Sequence, residues 1–227
     1  QIPYVGCGVL SSAMCMDKAI TNALAEFNGI KQARFLSIKK NEYAILKSRF
    51  LNKCEAYLGF PIFVKPANAG SSVGISKAKN QEELVKAIDI AFEQDSKIVL
   101  EEAIVGKEVE CAVLGNDEPV SSCVGEIAPC NEFYDYDAKY QSDSGLFVPA
   151  RLSPEKMLEV RDMAIKVYRM LDCKGLSRCD FFVRENDGAV IFNEVNTIPG
   201  FTSISMYPKL FEAVGISYSD LLDRLLT

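Results

Sequence analysis

The chain has 227 residues, of which 48% are apolar and 25% charged, with a net charge of −6 and no histidine. That length can bury a sizeable core as one large domain or two small ones, and the acidic balance argues against a general nucleic-acid or anionic-membrane binder. The missing histidine removes any hydrolase triad built on a His base and any His-ligated zinc site within the chain. None of the eight cysteines forms a CxxC pair, so they read as small buried residues of a reducing cytoplasm. No apolar run is long enough to span a bilayer. The opening QIPYVGCGVL lacks both a Met and a basic leader, and it reads as the interior of a longer protein.

In chain order, residues 11–28 (SSAMCMDKAITNALAEFN) predict one helix, closed by Gly29 just past its C-cap. Residues 33–38 predict a short strand, and 40–57 a polar, helix-favouring stretch. FPIFVKP (60–66) predicts a strand with Lys65 near its end, and ANAGSSVGIS (67–76) a turn of small residues. Asn80 with Glu83 predicts a capping box that opens a helix over 81–94. SKIVLEEAI (96–104) predicts a strand running into two glutamates, and KEVECAVLG (107–115) with EPVSSCVGEI (118–127) an antiparallel pair. Residues 128–149 predict a long polar loop, of a length tied to function or disorder. Ser153 as N-cap and Pro154 at the first helical position predict a helix to about Asp172. LSRCDFFVRENDGAVIFNEVN (176–196) predicts a hairpin, and short helices close the chain near 206–213 and 217–226. Strands and helices mix without the regular alternation of a doubly wound sheet. The chain therefore reads as α+β, with a soft division near residues 99–106.

The hairpin carries the chemistry. Side chains alternate faces along a strand, so Arg178 shares a face with Asp180, and Glu194 with Asn196. A two-residue Asp187-Gly188 turn would send the two acids to opposite faces. A three-residue turn, Asn186-Asp187-Gly188 with Gly188 left-handed, pairs Asp180 with Glu194 and Arg178 with Asn196. The three-residue turn is expected. It gathers two carboxylates, an amide and a guanidinium. Two close carboxylates repel unless a cation intervenes, and oxygen ligands without His or Cys suit Mg²⁺. Arg178 beside them suits a phosphoryl or oxyanion partner. The bland alternative is a surface charge network on a half-exposed sheet. Lys65, just before the Gly/Ser turn, suits phosphate, although no Walker motif is present; that turn by itself would be only a tight turn. Asp17 reads as a helix-surface charge, at least one of Glu101 and Glu102 as solvated, and Tyr134 and Tyr136 as loop anchors.

The segments CMDK, FVKP, GSSVGISK, EEAIVGKEVECAVLG, FYDYDAKY, LSRCDFF and NEVNTIPGFTSISMYP occur in the order and spacing of D-alanine–D-alanine ligases, of the ATP-grasp superfamily. The chain resembles that family from residue 1 to residue 227. The resemblance implies an ATP-grasp fold of two α/β subdomains with nucleotide held between them. These would be residues 1–99, with a remnant of an N-terminal domain at 1–8, and residues 100–227, with a lid loop at 128–149. It implies that Lys18 and Lys65 hold the nucleotide phosphates, with Ser72 also on the nucleotide. Glu101 and the backbone around Ile104 would take the adenine, and Glu108 the ribose. Asp180, Glu194 and Asn196 would ligate two Mg²⁺ ions, with Mn²⁺ as a substitute. Arg178 and the Gly200 N–H would steady an oxyanion, and Ser205 would receive the carboxylate of a second D-alanine. Ser71 and Tyr140 would hold the loop closed, with Lys139 near the transferred phosphate.

What this implies is a bacterial, cytoplasmic, ATP-dependent ligase that joins two D-alanines through a D-alanyl phosphate for peptidoglycan synthesis. Its partners would be small molecules and not nucleic acid or membrane, and its full-length form would be a homodimer. The family also has an N-terminal domain of roughly a hundred residues, the size of a small domain, before IPYVG. Its absence puts the activity of this chain in doubt. Family variants that make D-alanyl-D-lactate tend to carry His where Tyr140 stands, and D-serine variants tend to carry Arg where Met206 stands. Met206 suits a methyl side chain, though it could equally be plain packing. The alternatives are a D-alanine–D-serine ligase of the vancomycin-resistance type, another ATP-grasp carboxylate–amine ligase, and a nucleotide-binding relic.

Overall fold

Two antiparallel sheets organise the chain, with strand orders β1-β4-β2-β3 and β7-β6-β5-β8-β9. The structure, a computed structural model, describes residues 2–128, 145–202 and 204–226. The first sheet is built from β1 (Phe35–Lys39), β2 (Ile62–Pro66), β3 (Ser76–Ala78) and β4 (Lys97–Glu102). Helices α3 (Lys40–Leu58) and α4 (Gln81–Gln94) cover one face of it. Leu51, Cys54, Leu84 and Ile88 pack there against Ile62, Val64, Ile98 and Leu100. Asn80 accepts from the Glu83 N–H at 2.9 Å, so the expected cap opens α4.

The second sheet contains β5 (Gly106–Leu114), β6 (Val120–Ala128), β7 (Gly145–Phe147), β8 (Leu176–Arg184) and β9 (Val190–Asn196). Helix α5 (Pro154–Met170) starts at the expected Ser153 cap and covers one face. Val160, Ala164 and Val167 of α5 pack there on Val109, Cys111, Cys179 and Phe181. On the opposite face, α6 (Met206–Glu212) and α7 (Tyr218–Leu226) cover one end. Tyr207, Leu210 and Phe211 pack there on Ala112, Leu114 and Leu176. The rest of that face, toward Glu108 and Asp180, carries the charged side chains. No described cysteine is bridged. Among the described residues no helix is long and apolar enough to cross a membrane.

Four expectations need correction. The single helix over 11–28 is two helices, α1 (Val9–Met16) and α2 (Lys18–Phe27). Asp17 breaks them with an extended backbone, and its carboxylate accepts from the Ala19 and Ile20 N–H groups. The Lys97 ammonium sits on the same carboxylate. Asp17 is therefore a cap and a tie between α2 and β4, not a free surface charge. Gly29 ends α2 as expected, with φ +65°. The small-residue turn also stops one residue early, at β3. Within the expected loop of 128–149, Gly145–Phe147 form β7 and pair with β6.

The hairpin has the expected pairing, by a different route. Asp180 lies opposite Glu194 and Arg178 opposite Asn196, and Gly188 is left-handed at φ +66°. Toward the turn the register changes. Phe181 faces Phe192 and Val183 faces Val190, and the backbone bonds join Arg184 to Ala189 and to Gly188. The loop therefore has four residues, Glu185 to Gly188, and Asn193 is an extra residue in β9, a β-bulge. The bulge decides which face each side chain meets. Val190, Phe192 and Val195 all lie in the α5 core, although 192 and 195 differ by an odd step. A three-residue turn without a bulge would place Glu194 on the same face as Val190 and Phe192. The bulge keeps both apolar residues inside and turns Glu194 and Asn196 to the charged face.

Deleting Asn193 forces either Phe192 out of the core or Glu194 into it. We expect a stability loss of at least about 3 kcal/mol, readable by chemical denaturation. The turn itself has a pH signature. Asp187 is gripped by Arg184 and by the Ala189 N–H, which pulls its carboxyl from 3.8 down to about 2. A depressed carboxyl stabilises the fold above its unfolded value and loses that contribution as pH falls toward 2. Asp187→Asn should show a shallower fall of the unfolding midpoint between about pH 4 and about pH 2. Superimposable profiles would contradict this.

Candidate functional site

A cavity of about 340 Å³ lies between the two sheets. Each sheet contributes the ends of its strands, and α2 closes one side. Lys18 comes from α2, Lys65 from β2, and Ser71 and Ser72 from the loop after β2. Glu101 comes from β4, Ile104 from the link between the sheets, Glu108 from β5 and Glu194 from β9. These eight sequence-predicted residues are more than 170 positions apart at their extremes, and the fold brings all of them to one cavity.

Lys65 is the electrostatic centre. Its ammonium is 2.6 Å from Glu101 and 3.4 Å from the Asn193 amide oxygen. Burial pushes its pKa down, but the charges of Glu101, Glu194 and Glu108 outweigh that and hold it above its usual value. Lys18 goes the other way. Burial, with repulsion from Lys65, lowers its pKa against the pull of Glu194 and Glu101. Its ammonium donates to the Ala69 carbonyl at 2.6 Å, which aims it at the small-residue loop. Two lysines directed into one cavity suit an anion, and the less stable Lys18 charge would gain most from one. Both Glu101 oxygens are engaged, by Lys65 and by the Asn22 amide at 3.0 Å. Neither strand-end glutamate is simply solvated, since Glu102 pairs with Arg34 at 2.7 Å.

The loop between β2 and β3 holds unusual backbone. Ser71 and Ser72 have φ of +52° and +59°, a region that side chains other than glycine seldom adopt. A Cβ on Gly74 would lie 2.8 Å from Gln94 and 2.9 Å from Pro66, so only glycine fits there. Left-handed turns of this kind direct successive N–H groups toward one side, the geometry that receives phosphate.

The hairpin supplies the acidic end. Arg178 grips Asp180 with two bonds of 2.7 Å, and the Asn196 amide donates to Asp180 at 3.0 Å. Arg178 also reaches Glu110 at 3.2 Å. Burial lowers the Arg178 pKa, but Asp180, Glu110 and Glu194 more than reverse that. Glu194 is both the cross-strand partner of Asp180 and part of the cavity wall, so the acidic end adjoins the lysines. Two carboxylates and an amide form an all-oxygen donor set that fits a hard divalent cation, and the facing carboxylates favour one. Among the described residues, no three Cys, Asp or Glu side chains converge as a ligand group.

Gly200 and Ser205 are neighbours. A Cβ on Gly200 would lie 2.8 Å from the Ser205 hydroxyl, so glycine permits the approach. That hydroxyl accepts from the Thr202 N–H at 3.0 Å. Met206 is only 6% exposed and packs in the α6 core, where a Cβ on Gly125 would collide with it. Met206 therefore packs, as one of its two readings has it. Lys139, Tyr140, Tyr134 and Tyr136 lie outside the described residues.

The structure adds residues that the sequence reading passed over. Asn22 meets a glutamate 79 positions away, and no local signal marks it. Glu126 also lines the cavity, held by Arg151 and Lys107. Burial raises its pKa, but these donors outweigh that and hold it below the usual carboxylate value. Glu110 had a usable signal: it is two residues from Glu108 on one strand, hence on the same face.

Known proteins match the chain along nearly its whole length. The family model described as D-ala D-ala ligase C-terminus matches residues 24–227. A D-alanine–D-alanine ligase from Caldicellulosiruptor bescii is 57% identical over all of this chain, which covers 62% of that protein. The crystal structure of the VanG D-Ala:D-Ser ligase from Enterococcus faecalis superposes with a TM-score of 0.90 at 42% identity, covering 99% of this chain and 64% of that one. A D-alanine–D-alanine ligase from Coxiella burnetii gives 0.83 at 34%, covering 99% and 60%. The chain thus spans roughly three fifths of the length of these relatives. With both sheets antiparallel and the cavity between them, the fold is the ATP-grasp fold of these ligases.

Lys65→Met leaves Glu101 buried without its cation. We expect a loss of about 3 kcal/mol in denaturant unfolding, largely recovered in the double variant with Glu101→Gln. Additive losses in the double variant would contradict the pairing.

Proposed function

The chain belongs to the D-alanine–D-alanine ligase family, and on that premise we propose that it forms the nucleotide- and metal-binding part of an ATP-dependent ligase. The reaction joins two D-alanines through a D-alanyl phosphate and supplies peptidoglycan precursors in the bacterial cytoplasm. One observation carries this reading: Glu194 lines the lysine-bearing cavity and faces Asp180 across the hairpin. Phosphate-binding and metal-binding chemistry therefore meet at one residue.

In this proposal Lys18 and Lys65 hold nucleotide phosphates over the loop of Ser71 and Ser72. The backbone near Ile104 takes the adenine and Glu108 the ribose. The side chain of Glu101, held by Lys65 and Asn22, acts mainly by fixing that lysine. Asp180, Glu194 and Asn196 would hold the divalent cations, two Mg²⁺ ions with Mn²⁺ as a substitute. Bound there, they would neutralise charge on the transferring phosphoryl group. Arg178 and the Gly200 N–H would steady the oxyanion formed when the second amine attacks, with Ser205 receiving that substrate's carboxylate. Tyr140 and Lys139 would close over the site from residues 128–149, since water would hydrolyse an acyl phosphate. The two subdomains would divide between Glu102 and Gly106, where the chain passes from one sheet to the other. A homodimer is part of the same reading, and the exposed Val9, Leu10 and Phe27 suit such a contact.

A second substrate of D-serine is the competing reading, motivated by the TM-score of 0.90 to a D-Ala:D-Ser ligase. The 57% identity to a D-alanine–D-alanine ligase favours D-alanine over it.

Calorimetric titration with ATP, with and without Mg²⁺, tests the binding half. Asp180→Asn and Glu194→Gln should each weaken the Mg²⁺-dependent part by about ten- to a hundredfold. Phosphate release dependent on D-alanine, with D-serine as competitor and the products identified, tests the chemistry. Wild-type-like cation dependence in both variants would overturn the metal assignment.

A further inference from the structure

Glu110, Asp180 and Glu194 lie in one row across β5, β8 and β9. Three carboxylates side by side repel one another, and Arg178 lies on the same face, between Glu110 and Asp180. Its Nε is 2.7 Å from Asp180 and 3.2 Å from Glu110. Glu110 is only 3% exposed, so its charge has little water to soften it. One contact of Glu110 is with the guanidinium.

Both Asp180 oxygens carry donors here, two from Arg178 and one from Asn196. A cation served by Asp180 competes with these donors for the carboxylate. Arg178 would then be a buried guanidinium with its main partner drawn away, and would tend to follow Asp180 or swing toward solvent. Glu110, the cross-strand neighbour of Asp180, offers the same Nε a second carboxylate. Directly opposite Glu110 on β6 is Gly125, and Met206 and Leu210 fill the space a Cβ would take there.

We infer that Glu110 is a positioning residue for this site: it anchors Arg178 so that Asp180 can turn an oxygen to a divalent cation while the guanidinium stays aimed at the reacting centre. The inference rests on the reading of Asp180 as a cation ligand. Shortening the side chain breaks the anchor as surely as neutralising it, because a 3.2 Å contact does not survive the loss of a methylene without movement.

The test is Mn²⁺ binding to the chain in the presence of ADP, followed by electron paramagnetic resonance, with no turnover required. Glu110→Asp and Glu110→Gln should both raise the Mn²⁺ dissociation constant, by about tenfold. In an Arg178→Gln background neither substitution should add to the effect, since Glu110 acts through Arg178. A Glu110→Asp protein that binds like wild type, with only Glu110→Gln impaired, would mean a general charge effect and would overturn the inference. So would additive effects in the Arg178→Gln background, which would point to separate damage to the fold. Failure of the wild-type chain to bind Mn²⁺ with ADP would defeat the metal reading itself, and this inference with it.

Discussion

The single extra residue in β9 governs the site. A strand can present alternate residues to only two faces, and β9 needs Val190, Phe192 and Val195 inside while Glu194 and Asn196 remain outside. Regular alternation cannot do this. The bulge at Asn193 shifts the alternation by one and reconciles apolar burial with carboxylate placement. It also brings the Asn193 amide oxygen within 3.4 Å of Lys65, so the irregularity joins the two sheets as well. Bulges are common beside active sites for this reason: they re-aim side chains without giving up the core.

Around that point the charges are balanced as a set. Lys65 lies amid Glu101, Glu108 and Glu194, while Arg178 lies between Asp180 and Glu110. Each cation is held above its usual pKa by acids that would otherwise repel one another. Buried arrangements like this add little net stability, since desolvation offsets most of the attraction. They are costly to disrupt and readily biased by an added charge, which suits a site that receives phosphates and divalent cations together. Lys18 has a lowered pKa and a carbonyl as its hydrogen-bond partner, so it differs from the other two cations. An arriving anion would repay its burial.

Different residues were legible to different degrees. Gly29, Asn80, Ser153 and Pro154 mark helix ends by local backbone chemistry, and the helices end where they say. Arg178, Asp180, Glu194 and Asn196 were legible because strand alternation is a local rule. Their pairing was expected from a three-residue turn. It arises instead from a four-residue turn and a bulge whose effects on register cancel. Asp17 was misread because a cap at the centre of an amphipathic stretch resembles a charged surface position. Its partner Lys97 is distant in sequence. Asn22 and Glu126 gave no signal, since their roles exist only through contacts with other segments.

By itself, then, the sequence determined most of the helices and strands, though not the break at Asp17 or β7, together with the oxygen-rich and histidine-free character of the chemistry and membership of a ligase family. Those follow from short-range periodicity, capping and motif order. Tertiary structure alone decided that the lysines and the carboxylates share one cavity, that Met206 is core, and that Glu110 completes the Arg178 network. Each of these depends on which strand lies beside which, and on where one extra residue is accommodated. Local preference does not specify that; burial of Phe192 against α5, competing with exposure of Glu194, does.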